Sequence, residues 1–386
     1  AKESKKKDKK GETEKAAAAA QPAAAAAAQP AAAAAAAVAA AQPAAAAQVA
    51  AVQAAPTVSA QPQVHAQPQA QAKAAVVESK IATTISPAEA KACADGCRNA
   101  MKGLGTNEKM IIDNIGNKTT ADMQLVIKAY REGYNRDFIA DIKSECGGNF
   151  LNVILAMCTP PAEMDAQLIK KAIAGLGTDE SLLSEVLCTR SPTELKEAAA
   201  AYQRLYNKNM EADIKSDTGG DLGRVYAQVL SPSRGTRQGD AAADIEALYK
   251  AGEGKIGTDE ATFINIIATA TPAYLETIYY GYAQKHGKAL DTVIRDEMGG
   301  DVGKALANLA TPPHVLFSDK IMKAMKGVGT EDEKLVRLIT TQRGRYLKAA
   351  GKHFLEVNRK TISAWVGDET GGDYKALLLK ICAAEG

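Results

Sequence analysis

The stretch Met101-Lys102-Gly103-Leu104-Gly105-Thr106 and the acid Glu145 form a pairing that occurs four times along the chain. In each copy an acid lies 40 positions after the last glycine of a glycine-containing turn, shortly before a Gly-Gly pair. The later copies are Gly175-Leu176-Gly177-Thr178 with Asp217, Lys255-Ile256-Gly257-Thr258 with Glu297, and Gly327-Val328-Gly329-Thr330 with Glu369. This internal repeat predicts four similar structural units, each with a turn and an acid that act together.

Charge is distributed unevenly along the chain, whose formal net charge is +2. The segment 1–80 carries nine lysines against five acids, so the remainder of the chain is slightly acidic. This balance argues against a nucleic-acid-binding body. If the body meets an acidic surface, something other than its own side chains must supply the positive charge.

Residues 1–82 differ in composition from the rest of the chain. A lysine-rich start is followed by a segment dominated by alanine, glutamine and proline, with almost no bulky apolar residues. Such a segment cannot build a core, and we expect a disordered or intermittently helical spacer. Its lysines either add weak attraction to an anionic surface or only keep the protein soluble.

The cysteines and the start of the chain indicate the compartment. Six cysteines at positions 93, 97, 146, 158, 188 and 382 are too scattered for a disulfide framework. Cys93 and Cys97 lie four apart, but a metal site would need two further ligands nearby, so ordinary buried thiols are favoured. The chain opens without a signal-peptide pattern, and its longest Ala/Val run, residues 31–41, is far shorter than the roughly 20 residues of a membrane span. We expect a reduced, cytoplasmic protein.

The folded body, residues 83–386, reads as all-α. Ser86-Pro87-Ala88-Glu89 is a strong helix start, and short apolar segments at helical spacing then predict five helices in each unit. The pattern restarts three times, so we expect units over about residues 86–158, 159–230, 241–310 and 311–386. The last turn glycines lie at positions 105, 177, 257 and 329, so the middle step is longer than the other two, which are equal. The longer step contains a polar connector, residues 231–240, which suggests that the units pair as two plus two.

Calcium binding explains why the turn and the acid occur together. A glycine after a helix and a threonine before an acidic first turn are ordinary helix signals, but they do not account for an acid 40 positions later. Calcium takes six to eight oxygens, including backbone carbonyls and carboxylates. The carbonyls of Met101, Gly103 and Gly105 with Glu145 would supply about five and leave room for water or an external oxygen. One carboxylate leaves net positive charge, which favours a second anion such as a lipid phosphate.

At these residues the sequence resembles an annexin. The Lys-Gly-x-Gly-Thr turn with its distant acid matches the type II calcium motif of that family, and the four repeats of five helices match its core. The resemblance implies a slightly curved all-α disc, with calcium sites on its convex face and calcium-dependent binding to acidic phospholipids. Carried over by position, the ligands are the carbonyls of Met101, Gly103 and Gly105 with Glu145; Ile173, Gly175 and Gly177 with Asp217; Gly252, Lys255 and Gly257 with Glu297; and Met325, Gly327 and Gly329 with Glu369.

Three functional classes follow. The leading hypothesis is a peripheral membrane protein bridged by Ca²⁺ to anionic phospholipid. The alternative is a cytoskeleton-associated scaffold of the same family, and self-association on the membrane is a further option. Catalysis is not expected, because the four histidines (65, 286, 314 and 353) lie in unrelated contexts and no catalytic triad, zinc spacing or P-loop is present.

Overall fold

The computed structural model describes residues 83–385, and the predicted tail over residues 1–82 lies outside the described part. Within that part the secondary structure is helical, apart from one isolated β-bridge between Arg237 and Ala270. None of the described helices is long and apolar enough to cross a membrane. The all-α prediction is therefore confirmed.

Twenty helices of the described part fall into four groups of five. The first group is α1 (Pro87–Ala100), α2 (Glu108–Ile115), α3 (Thr120–Tyr134), α4 (Phe138–Glu145) and α5 (Gly148–Cys158). The second is α6 (Pro161–Ala172), α7 (Glu180–Thr189), α8 (Pro192–Tyr206), α9 (Met210–Asp217) and α10 (Gly220–Leu230). The third is α11 (Ala241–Ala251), α12 (Glu260–Ile267), α13 (Pro272–His286), α14 (Leu290–Met298) and α15 (Gly300–Ala310). The fourth is α16 (Pro313–Met325), α17 (Asp332–Gln342), α18 (Leu347–Asn358), α19 (Ile362–Glu369) and α20 (Gly372–Glu385).

Local sequence signals set the helix starts. The Ser86 hydroxyl accepts from the Glu89 amide, and the Glu89 carboxylate accepts from the Ser86 amide, which forms the predicted capping box at α1. Ser191 and Glu194 form the same box at α8. Proline at the first helical position adds a fixed φ at both helices.

The core consists of two apolar clusters, each shared by two groups. One cluster joins the first and fourth groups, with α17 packed on α5. The other joins the second and third groups, with α15 packed on α7. The units therefore pair, but the connector over residues 231–240 lies inside a pair rather than between pairs. Its Arg234 side chain donates to the carbonyls of Leu187 and Cys188, and this bonding ties the connector to α7.

Charged side chains lie where the two pairs meet. Arg190 binds Asp165 through two hydrogen bonds of 2.7 and 2.8 Å, and both side chains are buried. Glu185 of the second group accepts from Lys320 and Arg337 of the fourth group, each at 3.0 Å. Buried charges of this kind are stable only when they are paired.

The six cysteines are free thiols in the structure. Four are buried and two are half-buried: Cys93, Cys97, Cys158 and Cys188, and then Cys146 and Cys382. Among residues 83–385 no group of three or more histidine, cysteine or acidic side chains is placed to hold a metal ion.

Candidate metal sites

Each of the four turns lies between the first and second helices of its group. In three groups the first candidate ligand has a buried side chain at the end of the first helix: Met101, Ile173 and Met325. Burial of this side chain anchors the start of the turn in the core. The carbonyl of the same residue lies at the helix end, where it has no hydrogen-bond partner within the helix. The residues after it are exposed.

The turn glycines have backbone conformations that favour glycine. Gly103 and Gly105 have φ angles of 102° and 84°, and Gly175 and Gly177 have φ angles of 100° and 87°. A Cβ atom at any of these positions would meet nothing within 4 Å, so the requirement comes from the backbone rather than from space. Such turns let successive carbonyls point to one side, which an ordinary helix end does not do.

A main-chain hydrogen bond closes each turn. The Asn107 amide donates to the Ala100 carbonyl at 2.9 Å, and the bonds that close the second and fourth turns span the same number of residues. In the third turn the Asp259 amide donates to the Ala251 carbonyl at 2.8 Å, so this turn is one residue longer. The extra residue accounts for the departure of Gly252 to Gly257 from the pattern of the other turns.

A threonine joins each turn to its distant acid. The Thr106 hydroxyl lies 2.9 Å from a Glu145 carboxylate oxygen, and the Thr178 hydroxyl lies 2.7 Å from an Asp217 carboxylate oxygen. The corresponding distance from Thr258 to Glu297 is 3.0 Å. The structure therefore places the acid and the turn side by side in these three groups.

The sequence pattern assigns these threonines to the helix start and does not reveal their contact with the acid. The residue after each threonine is the N-cap instead, and in three groups its side chain caps the helix: Asn107, Asp179 and Asp259. The threonine is thus free to contact the acid. The available signal was the constant separation of threonine and acid, which is 39 positions in each copy.

The donor set fits calcium. Within residues 83–385, the only candidate carbonyl that accepts a main-chain hydrogen bond is that of Gly252, from the Lys255 amide at 3.0 Å. Unpaired carbonyl oxygens beside one carboxylate are the hard ligands that calcium prefers. At the first turn, Met101, Gly103 and Gly105 would hold the ion with Glu145, and the bound ion would supply positive charge for an external anion.

Cys146 follows the acid of the first site but does not belong to the donor set. Burial raises the pKa of its thiol to about 11, with nearby carboxylates, including Glu145, acting in the same direction. A thiol with such a pKa stays protonated at neutral pH, and the thiolate is the form that binds metals.

The third and fourth sites differ from the first two. Glu297 is half-buried, whereas the other three acids are exposed, and a Cβ on Gly252 would approach its side chain to 3.1 Å. In the fourth site the Thr330 hydroxyl contacts only the Glu369 main-chain carbonyl, at 3.2 Å. The third acid is therefore the most constrained, and the fourth is held only through its backbone.

An apolar side chain lies at the tip of every turn. These four side chains are fully exposed, at 105 to 110% of the reference area: Leu104, Leu176, Ile256 and Val328. Elsewhere in the described residues the exposed large hydrophobic side chains reach at most 46%. Because an exposed apolar side chain gains free energy when another surface covers it, these four tips favour contact with such a surface.

Together, the fold and the sites define a four-repeat helical protein with one glycine turn and one acid per repeat. Comparison with known families agrees, because the annexin family model matches residues 93–157, 164–228, 243–309 and 317–381. The chain belongs to the annexin family.

Individual relatives support this assignment. Human annexin A13 is 36% identical over 291 residues, which are 73% of this chain and 92% of that protein. A zinc complex of chicken annexin V is 31% identical with a TM-score of 0.70, and the match covers 78% of this chain and 97% of that one. A calcium-bound annexin (Sm)1 is 25% identical with a TM-score of 0.66, and the match covers 78% of this chain and 92% of that one. Calcium-dependent phospholipid binding is the general property of the family.

Proposed function

We propose that this protein binds acidic phospholipid membranes peripherally, with calcium ions bridging its four turns to phosphate or carboxylate groups of the lipid. The observation that carries the proposal is the contact between turn and acid. A threonine hydroxyl bonds to the carboxylate in three groups, beside carbonyls that are almost all free of main-chain partners. The ligands would be the sixteen residues that the family resemblance assigns, three from each turn together with its distant acid.

The charge at each site favours an anionic partner. Each site offers one carboxylate to a divalent cation, so the bound ion keeps net positive charge. A lipid phosphate or carboxylate completes such a site better than a neutral headgroup. This mechanism supplies the positive charge that the slightly acidic body lacks.

Several weak sites strengthen binding if they face the same membrane. An ion pair between Lys171 and Glu333 links the residues that flank the second and fourth turns, so these two turns lie near each other. Linked sites convert the second binding event into an intramolecular one, which raises overall affinity without new contacts. The exposed tip side chains add apolar contact with the lipid interface.

Removal of the four acids tests the proposal. The variant combines Glu145→Gln, Asp217→Asn, Glu297→Gln and Glu369→Gln, and we expect it to lose calcium-dependent co-sedimentation with phosphatidylserine vesicles. A matched control replaces one exposed acid on the third helix of each group: Glu132, Glu197, Glu276 and Glu356, each by glutamine. The control should bind like the original protein.

Two results would contradict the proposal. One is vesicle binding by the original protein that is equally strong in chelator. The other is calcium-dependent binding by the four-acid variant at unchanged calcium concentration. Circular dichroism should show the same helix content for all three proteins, which ensures that loss of binding does not reflect unfolding. No contact within residues 83–385 favours the cytoskeletal alternative.

A further inference from the structure

The third repeat uses a buried tyrosine differently from the first two. Equivalent positions of the four repeats hold Tyr130, Tyr202, Tyr282 and Phe354, all fully buried. A buried tyrosine hydroxyl needs a hydrogen-bond partner. The partner that each tyrosine finds reveals what its repeat holds in place.

In the first two repeats the partner is an aspartate on the fourth helix. Tyr130 donates to Asp141 at 2.7 Å, and Arg136 adds two hydrogen bonds of 2.6 Å to the same carboxylate. Tyr202 donates to Asp213 at 2.8 Å. Lys208 lies 3.9 Å from Asp213, at the position equivalent to Arg136. A tyrosine and a basic residue thus fix the third helix to the fourth.

In the third repeat the aspartate is absent, because Val293 occupies its position. Tyr282 instead donates to Glu253 at 3.0 Å, and Lys288 donates to the other carboxylate oxygen at 2.5 Å. Glu253 belongs to the turn itself, between the candidate ligands Gly252 and Lys255. In the fourth repeat Trp365 occupies the position equivalent to Val293, so the aspartate is absent there too. Phe354 has no hydroxyl to pair and packs edge-to-face on Trp365.

We propose that Glu253 is a positioning residue, which holds the third calcium turn in the shape that binds the ion. It does so through its hydrogen bonds with Tyr282 and Lys288, and these two bonds are here called the clamp. The clamp keeps this turn ordered before calcium arrives, so its loss weakens calcium binding at the third site. The proposal rests on the proposed function of the turn as a calcium site. Glu253 is proposed to orient the turn, because each of its carboxylate oxygens accepts a hydrogen bond from a residue outside the turn.

Main-chain bonds in the same turn explain how the clamp acts on the ligands. The Gly254 amide donates to the Tyr249 carbonyl at 2.8 Å, and the Lys255 amide donates to the Gly252 carbonyl. These two bonds set the direction of the peptide groups on either side of Glu253. In the other three turns the residue after the first ligand is Lys102, Ala174 or Lys326. Within the described residues, none of these side chains forms a hydrogen bond with the third helix or with another group, as Glu253 does with Tyr282.

Amide hydrogen exchange in chelator tests the clamp without calcium, on the full chain. Tyr282→Phe removes one oxygen atom, and Glu253→Gln removes the charge. We expect each change to raise exchange over residues 252–258 about tenfold, because it weakens the restraint on local opening. Tyr202→Phe is the matched control in the second repeat and should leave exchange over 252–258 unchanged. Unchanged exchange in both third-repeat variants would overturn the proposal.

Calorimetric titration with calcium alone tests the effect on the site. A site-three-only protein carries Glu145→Gln, Asp217→Asn and Glu369→Gln. A site-one-only protein carries Asp217→Asn, Glu297→Gln and Glu369→Gln. Loss of a group that orients ligands typically weakens metal binding tenfold or more, so Tyr282→Phe should weaken calcium binding about tenfold in the site-three-only protein. It should have no effect in the site-one-only protein. Equal weakening in both, or tighter binding in the site-three-only protein, would overturn the proposal.

Failure of the proposed function is distinguishable from failure of the clamp. If Glu297→Gln leaves calcium binding of the site-three-only protein unchanged, the site assignment is wrong at this turn. In that case the proposed effect of the clamp on calcium binding is wrong as well. If Glu297→Gln abolishes binding while Tyr282→Phe changes neither affinity nor exchange, only the clamp is wrong.

Discussion

Thr106 and Glu145 lie 39 positions apart, and the Thr106 hydroxyl donates a 2.9 Å hydrogen bond to the Glu145 carboxylate. The same relationship joins Thr178 to Asp217 and Thr258 to Glu297. Three helical elements of each group separate the two residues in sequence, so the fold itself brings the acid to the turn. This contact makes the orientation of the acid a property of the folded protein rather than of a bound ion.

Thr106→Val should weaken calcium binding at the first site. The change removes the hydroxyl that orients the carboxylate and keeps the side-chain volume similar. The net contribution of one hydrogen bond is about 1 kcal/mol, which corresponds to about a fivefold loss of affinity. Calorimetry on the site-one-only protein measures it.

Thr330→Val is the matched control, because Thr330 contacts only the main-chain carbonyl of Glu369. In a protein that keeps only Glu369, this substitution should change affinity less than twofold. A loss at the fourth site equal to that at the first would show that the threonine–carboxylate bond is not what matters.

The tip side chains should contribute to vesicle binding but not to calcium binding in solution. Replacement of Leu104, Leu176, Ile256 and Val328 by serine removes apolar area that is fully exposed in the free protein. We expect the calcium concentration for half-maximal vesicle binding to rise about tenfold or more, since buried apolar surface contributes roughly 25 cal/mol per Å². Calorimetric calcium affinity without lipid should stay the same. The control, Leu205→Ser with Leu355→Ser, removes exposed leucines from third helices. An equal effect from that control would contradict the role of the tips.

Much of this arrangement was predictable from the sequence. The turn-to-acid spacing, the capping boxes at Ser86 and Ser191 and the repeat steps are local or periodic signals, and the all-α repeat fold follows from them. The pairing of the groups was not predictable, because the apolar face of α5 does not encode that its partner is α17 rather than a helix closer in sequence. The connector suggested pairs separated at residues 231–240, and the structure places it within a pair instead.

The site was predictable in its composition but not in its contacts. Threonine favours the cap position, which makes Thr106 look like a helix cap, yet Asn107 caps the helix and leaves the threonine for Glu145. The bond from Tyr282 to Glu253 depends on the absence of an acid at Val293, which becomes informative only when the repeats are compared position by position.

Gly105→Ala should destabilise the protein through the backbone. Gly105 has φ of 84°, and a left-handed conformation costs about 1–2 kcal/mol for a residue with a Cβ. We expect a lower melting temperature in chelator, measured by calorimetry. Gly133→Ala is the control, since Gly133 lies within α3 with open space around it. Alanine there should stabilise by roughly 0.5–1 kcal/mol. A stabilising effect at both positions would contradict the assigned turn conformation.

Titration of Glu185 should make the free energy of unfolding depend on pH in the acid range. Burial alone would raise the pKa of Glu185, but Lys320 and Arg337 outweigh burial and lower it from 4.5 to about 2. A carboxyl whose pKa is lowered by folding stabilises fully above its unfolded pKa and loses this contribution as pH falls toward the folded pKa. The free energy of unfolding should therefore decrease between about pH 4.5 and pH 2, and Glu185→Gln should make this decrease shallower.

Urea unfolding at several pH values measures the effect of Glu185. Glu185→Gln should also lower stability at neutral pH, because Lys320 and Arg337 keep their charges without the paired carboxylate. The exposed Glu197→Gln serves as the control and should follow the original protein. If the free energy of unfolding of Glu185→Gln falls with decreasing pH as steeply as that of the original protein, titration of Glu185 does not cause the decrease.

The most direct test of the central claim is anomalous X-ray diffraction from crystals of the protein grown with calcium. The account predicts ions bound by the carboxylates of Glu145, Asp217, Glu297 and Glu369, each together with carbonyl oxygens of its own turn. Calcium bound elsewhere, with none of these four carboxylates in contact with an ion at saturating calcium, would contradict it.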